Sequence, residues 1–230
     1  MQKVDFDNGS ITKNIIRTAL PMLVAQVISL LYSVVDRIYI GRIEGYGTQA
    51  LGAIGLCFPI VMLIGGFTNM FGLGGAPLFS IGLGKNDRKK AGEVLNTAFR
   101  LEIIVGAILI LCCELFARRI LSVFGATAEE LRFSVPYIRI YLLGTIFTMV
   151  ATGMNPYINA QGYAVIGMKS VLVGAVSNII LDPVFIFLLG LGVNGAAVAT
   201  VIAQFLSMLF VVRFLLGADN EFQICFQNFF

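Results

Sequence analysis

Histidine does not occur in this 230-residue chain, and charge is scarce, with only 13% of residues being Asp, Glu, Lys or Arg. Without imidazole, histidine-ligated zinc chemistry and serine–histidine catalysis are both excluded. The scarcity of charge excludes a water-facing globular surface, for which about a quarter of the residues are ordinarily charged. The four cysteines, Cys57, Cys112, Cys113 and Cys225, have no paired metal-ligand spacing. Three of them lie in apolar runs, where a thiol behaves as a small hydrophobe, so neither a disulfide nor a metal site is expected. The net charge of +3 offers no footprint for nucleic acid.

What the chain has in abundance is apolar sequence. Hydrophobic residues make up 58% and the mean hydropathy is +0.90. They come in runs of 20 or more, long enough to cross a hydrocarbon core of about 30 Å at about 1.5 Å per residue. In lipid every backbone polar group must be bonded internally, which leaves helices or a closed barrel. Barrel strands alternate polar and apolar residues, and these runs do not. The reading is an all-α integral membrane protein, a bundle of six transmembrane helices over residues 15–40, 51–83, 94–115, 133–154, 170–189 and 196–216. Residues 1–14 form a polar N-terminal segment, 15–216 the transmembrane lobe and 217–230 a tail. The first apolar run is too long for a signal-peptide core and is expected to be an uncleaved first span. The glycines of the second span, such as Gly65, Gly66, Gly72, Gly74 and Gly75, are expected to serve close helix packing.

Basic residues set the orientation. With a cytoplasmic N-terminus, all six lysines (Lys3, Lys13, Lys85, Lys89, Lys90 and Lys169) fall on the cytoplasmic side. Six spans then bring both termini to the cytoplasm, in a multi-pass protein of the cell (plasma or inner) membrane.

Ionisable groups inside spans are costly and usually functional. Four stand out: Asp36, Arg100, Glu102 and Asp182. Arg100 is expected to snorkel to the cytoplasmic interface and Glu102 to pair within the bundle, both in structural roles. Asp36 lies five residues before Gly41, at the outer end of the first span, and so about 8 Å deep. Asp182 lies eight residues before Gly190, about 12 Å deep, and Thr200 five residues past Gly195, about 8 Å deep. The three groups share a layer in the outer half of the membrane. Asn178 stands one turn before Asp182 on the same helix face. Pro183 has no N–H and clashes with the carbonyl four residues earlier, that of Ile179, loosening it beside these groups. A carboxylate, an amide oxygen, a carbonyl and a hydroxyl suit a small hard cation, and close, desolvated carboxylates can also carry protons. The competing role for Asp36 is an ion pair with Arg37, but neighbouring residues do not share a helix face.

These residues stand in motifs that resemble the multidrug and toxic compound extrusion (MATE) family. They are Leu20-Pro21 and Val35-Asp36-Arg37-Ile38-Tyr39-Ile40-Gly41 in the first span, Leu83-Gly84-Lys85-Asn86-Asp87 after the second, and Ala160-Gln161-Gly162 after the fourth. Asn178-Ile179-Ile180-Leu181-Asp182-Pro183 follows, then Gly192-Val193-Asn194-Gly195-Ala196-Ala197 and Thr200. The resemblance covers residues 12–216 and implies one lobe of a twelve-helix secondary transporter, not an enzyme. It implies an antiporter that exports drugs or other small organic compounds, organic cations among them, against entering Na⁺ or H⁺, with no cofactor beyond that coupling ion. By the resemblance, Asp36, Asn178, Asp182 and Thr200 hold the cation, Tyr32 and Asn155 line the lobe cavity, and Pro21 marks a bend in the first helix. The implied partners are membrane lipid, the transported compound and a second six-helix lobe. The family has twelve helices and this sequence has six, which fits a fragment, a truncated product or a half-transporter.

Other functions stay open at this point. A lipid-linked oligosaccharide flippase of related architecture would line its cavity with arginines for pyrophosphate. A structural half-lobe would need no site at all. An intramembrane aspartyl protease would need a glycine-rich partner motif, whereas Gly82-Leu83-Gly84 runs into Lys85. The orientation has a direct check. An impermeant maleimide is expected to label Cys225 in inside-out vesicles and not in intact cells, and labelling from outside reverses the assignment.

Overall fold

A computed structural model of the protein describes residue 4, residues 10–217, and residues 222 and 224. Cys225, Lys3 and most of the expected terminal segments therefore lie outside the described residues. Within them the chain forms nine α-helices, and no strand occurs. The elements are α1 (Ile11–Gly41), α2 (Gly47–Gly55), α3 (Phe58–Gly84), α4 (Arg88–Val123), α5 (Ala128–Leu143), α6 (Thr145–Gly153), α7 (Asn155–Ala160), α8 (Ala164–Pro183) and α9 (Gly192–Leu215). A π-helical turn, Val184–Leu188, continues α8. The helices form six rods: α1, α2 with α3, α4, α5 to α7, α8 with its π turn, and α9. Four helices are long and apolar enough to cross a membrane, or five when the bent pair Ala128–Leu143 and Thr145–Ala160 is taken as one span. The remaining rod, α4, carries Arg100, Glu102 and Glu114 along its middle.

The structure departs from the apolar runs where backbone chemistry intervenes. The second run is cut between Gly55 and Phe58, because Pro59 cannot donate to the carbonyl of Gly55 and its ring clashes there. The polar segment before the third run is the start of α4, where Asp87 accepts from the Lys90 backbone N–H at 3.0 Å. The chain stays helical past the third run. α4 runs on to Val123, and its 36 residues reach about 54 Å, well beyond the hydrocarbon core. Residues 155–160, beyond the fourth run, make α7, and only residues 161–163 separate it from α8. The fourth rod bends by 53° at Gly144, where a Cβ would overlap Gln204 Oε1 of α9. Pro21 lies inside α1, which runs unbroken through it. Thr127 and Glu130 cap α5 reciprocally: the Thr127 N–H donates to Glu130 Oε2 at 2.8 Å and the Glu130 N–H to Thr127 Oγ1 at 3.3 Å.

Two apolar cores hold the rods together, one at each end. Ile40, Ile60, Leu121, Ile138, Leu142 and Ile186 pack at the end where α1 finishes. Phe79, Leu95, Met154, Tyr157, Ile158 and Leu215 pack at the other. Around the waist Leu23, Leu30, Leu63, Leu111 and Ile180 are exposed, as suits rods whose solvent is lipid. Small residues allow close crossings. A Cβ on Gly72 would come within 2.8 Å of the Gly153 carbonyl oxygen, and one on Gly195 within 2.5 Å of the Phe185 carbonyl oxygen in the π turn. Gly65, Gly66 and Gly74 have open space around them and do not serve such packing. Gly195→Val is expected to lower stability by about 1–3 kcal/mol in detergent-solubilised thermal unfolding, since overpacking there moves backbone. Gly74→Ala is expected not to lower it.

Candidate functional site

Between the two cores the helices part around a cavity of about 400 Å³. Gln26, Ser29 and Tyr32 of α1, Tyr141 of α5, Thr152 of α6, Asn155 of α7, Asn178 of α8, and Thr200 and Gln204 of α9 supply its polar lining. Met22, Leu73, Met168 and Val171 supply much of the apolar remainder. The spacing on α1 explains its contribution, because residues 22, 25, 26, 29 and 32 recur at three and four and so share one face.

A cluster of oxygens lies at the end of this cavity toward the π turn. α8 presents Asn178 and Asp182 one turn apart, at 1% and 0% exposure. The Asn178 amide N–H₂ donates to Asp182 Oδ1 at 3.1 Å and to Thr200 Oγ1 of α9 at 3.3 Å. Asp36 of α1 brings its carboxyl into hydrogen-bonding range of that of Asp182. Three acceptors in the cluster, Asp36 Oδ1, Asn178 Oδ1 and Asp182 Oδ2, are buried and receive no hydrogen bond from any described residue. Arg37 is exposed and makes no salt bridge to Asp36. Pro183 ends α8 directly after Asp182, and the backbone widens into the π turn, closed by the Leu189 N–H to the Val184 carbonyl at 2.9 Å.

α1 at the start of the chain and the consecutive helices α8 and α9 thus place Asp36, Asn178, Asp182 and Thr200 together. Tyr32 and Asn155 both line the cavity, Tyr32 one turn before Asp36 on α1. Asn155 and Ser170 hold α7 to α8 through side chains 3.2 Å apart. The sequence reading missed α5. Tyr137, almost wholly buried, faces both Asp36 and Asp182, and its ring stacks on that of Tyr141 at 6.2 Å. The available signal was their spacing of four, which places both hydroxyls on one face of a span. Chemically, a buried pair of facing carboxyls with unmet acceptor oxygens is suited to take up a small cation or a proton.

Comparison with known proteins places this geometry in context. The MatE family model matches residues 21–184. The multidrug export protein MepA of Staphylococcus haemolyticus is 31% identical over 207 residues, covering 90% of this chain and 45% of MepA. An outward-facing multidrug resistance MATE transporter of the MOP superfamily superposes with a TM-score of 0.91 at 26% identity, covering 100% of this chain and 51% of that structure. A MATE transporter in a bent conformation gives 0.88 at 28% identity, with 96% and 49% covered. The chain spans about half the length of the curated relatives it matches. With its helical rods, its apolar spans and the family model over residues 21–184, this multi-pass membrane chain belongs to the MATE family.

Proposed function

We propose that this chain is the N-terminal lobe of a cation-coupled efflux transporter, in which Asp36 and Asp182, with Asn178 and Thr200, take up the Na⁺ or H⁺ that drives export. The observation that carries the reading is the set of buried, unsatisfied oxygens at the end of the cavity. Leaving such acceptors bare is unfavourable, so a bound cation or proton is the natural complement. Two facing carboxyls cannot both stay ionised at low cost without one. Uptake there neutralises charge at the point where α1 meets α8 and α9, which links the ion to the relative positions of three helices. For substrate, the cavity offers methionines, a tyrosine pair and amides, a lining suited to small organic molecules with an apolar body. No Arg or Lys lines it among the described residues, which disfavours the flippase reading and its pyrophosphate. The relatives' designation as multidrug export proteins supports the same substrate class.

Export further requires an opposing wall. Transporters built from repeats alternate access by rocking one bundle against another around a shared site. Relatives twice as long as this chain favour a second lobe as that wall. In this reading both termini face the cytoplasm, with the carboxyl cluster in the outer half of a plasma or inner membrane.

Gradient-driven efflux of ethidium from liposomes tests the proposal. With a C-terminal lobe supplied, the wild-type chain is expected to move dye under a Na⁺ or proton gradient. Asp182→Asn, which keeps the shape and removes the charge, is expected to abolish that movement while insertion stays intact. Asn178→Ala and Thr200→Ala are expected to be milder, since neutral ligands contribute less. Wild-type coupling in Asp182→Asn removes the site from the mechanism, and efflux by the 230-residue chain alone removes the need for a second lobe.

A further inference from the structure

A second carboxyl is buried more completely than Asp36 and has no place in the scheme above. Glu102 lies about 21 Å along α4 from Arg88, at mid-depth, with 0% exposure. Neither Oε1 nor Oε2 receives a hydrogen bond from a described residue. The sequence led us to expect a partner for it within the bundle, and none is formed there. Its carboxyl presses on the backbone of Gly153, so closely that a Cβ on Gly153 would overlap Glu102 Oε1. Gly106, one turn on along α4, also packs closely on α6, where a Cβ would lie 3.1 Å from Ile146 Cγ1 and 3.2 Å from Met149 Sδ. Gly153 is also where α3 crosses, through Gly72.

The surroundings hold no charge to balance an ionised carboxylate. Among the elements packed on α4, α3 and α6 contain no ionisable side chain at all. α5 offers Arg139, which pairs with Glu114 at 3.5 Å, twelve residues further along α4. α7 offers Tyr157, whose hydroxyl already donates to the Phe71 carbonyl at 2.7 Å. Arg100 stands two residues earlier on α4, and residues two apart do not share a helix face. What Glu102 does face is interrupted backbone. α6 ends at Gly153, and Pro156, just beyond, has no N–H to give. The cap N–H groups there are taken by the Val150 and Thr152 carbonyls, so none is left for an ionised Glu102, which only accepts, whereas a carboxylic acid needs no such donor.

We propose that Glu102 is a further proton-carrying carboxyl, separate from Asp36 and Asp182, held as the neutral acid against the joint between α6 and α7 from behind the cavity wall. The same segment turns Thr152, Asn155, Pro156 and Asn159 toward the cavity on its other side. Loss of the proton would set an uncompensated charge against that wall and push α6 away from α4. Glu102 thereby makes the wall of the cavity sensitive to proton supply without touching what the cavity holds.

The test needs neither transport nor a second lobe. The folded chain favours the neutral acid, so Glu102 contributes stability at low pH that is lost as pH rises. Glu102→Gln keeps the shape and cannot ionise. Thermal unfolding of the purified chain between about pH 5 and about pH 9 is expected to show Tm of the Gln variant climbing relative to wild type by about 4 °C or more. A difference that stays flat across that range overturns the proposal. Should the variant not fold, the wild type grown with carbon-13 glutamate answers the same question by infrared spectroscopy. A protonated-glutamate carbonyl band that persists at about pH 8 supports the proposal, because exposed glutamates are ionised there, and its absence overturns it.

Discussion

Two carboxyl groups, Asp36 and Asp182, meet inside an apolar bundle, and the local architecture is arranged around holding them there. Each comes from a different helix, so neither can retreat to water without parting α1 from α8. Asn178 fixes one face of the pair by donating to Asp182 and reaching Thr200, which draws in α9. The π turn after Pro183 and the bare Gly195 bring the start of α9 close enough for Thr200 to take part. Tyr137 closes the cluster from α5. The apolar core at the end where α1 finishes reaches this layer through Tyr137, and the cavity opens between it and the second core. A bundle packed evenly along its length would have no such space.

Much of this is legible in the sequence because lipid simplifies the problem. A run of apolar residues long enough to cross a membrane has few options besides a helix. A charge within such a run is conspicuous, so Asp36, Asp182 and Glu102 all stand out. Helical rise converts sequence offsets into depth, and matching depths bring Asp36, Asp182 and Thr200 to one layer before any coordinates are consulted. What depth does not give is azimuth. Tyr137 shares the layer, but nothing in α5 alone tells which way its face turns. The same blindness explains Glu102, whose position is plain while its lack of a partner is a property of α3, α6 and α7. Breaks were harder still. Pro59 divides the second run because of a clash with a particular carbonyl, and hydropathy does not register it. The length of α4 was hidden because its ends are polar, although its helix is continuous.

The half-length of the chain gives this arrangement its meaning. The first helix exposes large apolar residues along most of its length, and its cavity-lining face belongs to the same rod. In the proposed reading, a lobe built this way holds the whole ion site and only one wall of the substrate cavity. The carboxyl pair is assembled from α1 and α8, with α9 and α5 closing around it, whereas the proposed chamber for an organic molecule needs a second wall. On that reading ion uptake and substrate enclosure are separable, the first belonging to this chain and the second to the transporter it would form with a second lobe.

That separation makes the carboxyl pair measurable in the isolated chain. The most direct measurement is a double-mutant cycle on ion-linked stability, following Tm while Na⁺ is raised at fixed pH and while pH is lowered at fixed Na⁺. Wild type, Asp36→Asn, Asp182→Asn and the double variant are compared, so contributions common to all four cancel. If the two carboxyls form one site, either single substitution removes the ion-linked gain and the double variant loses no more. If each single variant keeps part of the gain and the losses add in the double variant, Asp36 and Asp182 act independently and the single-site account is wrong.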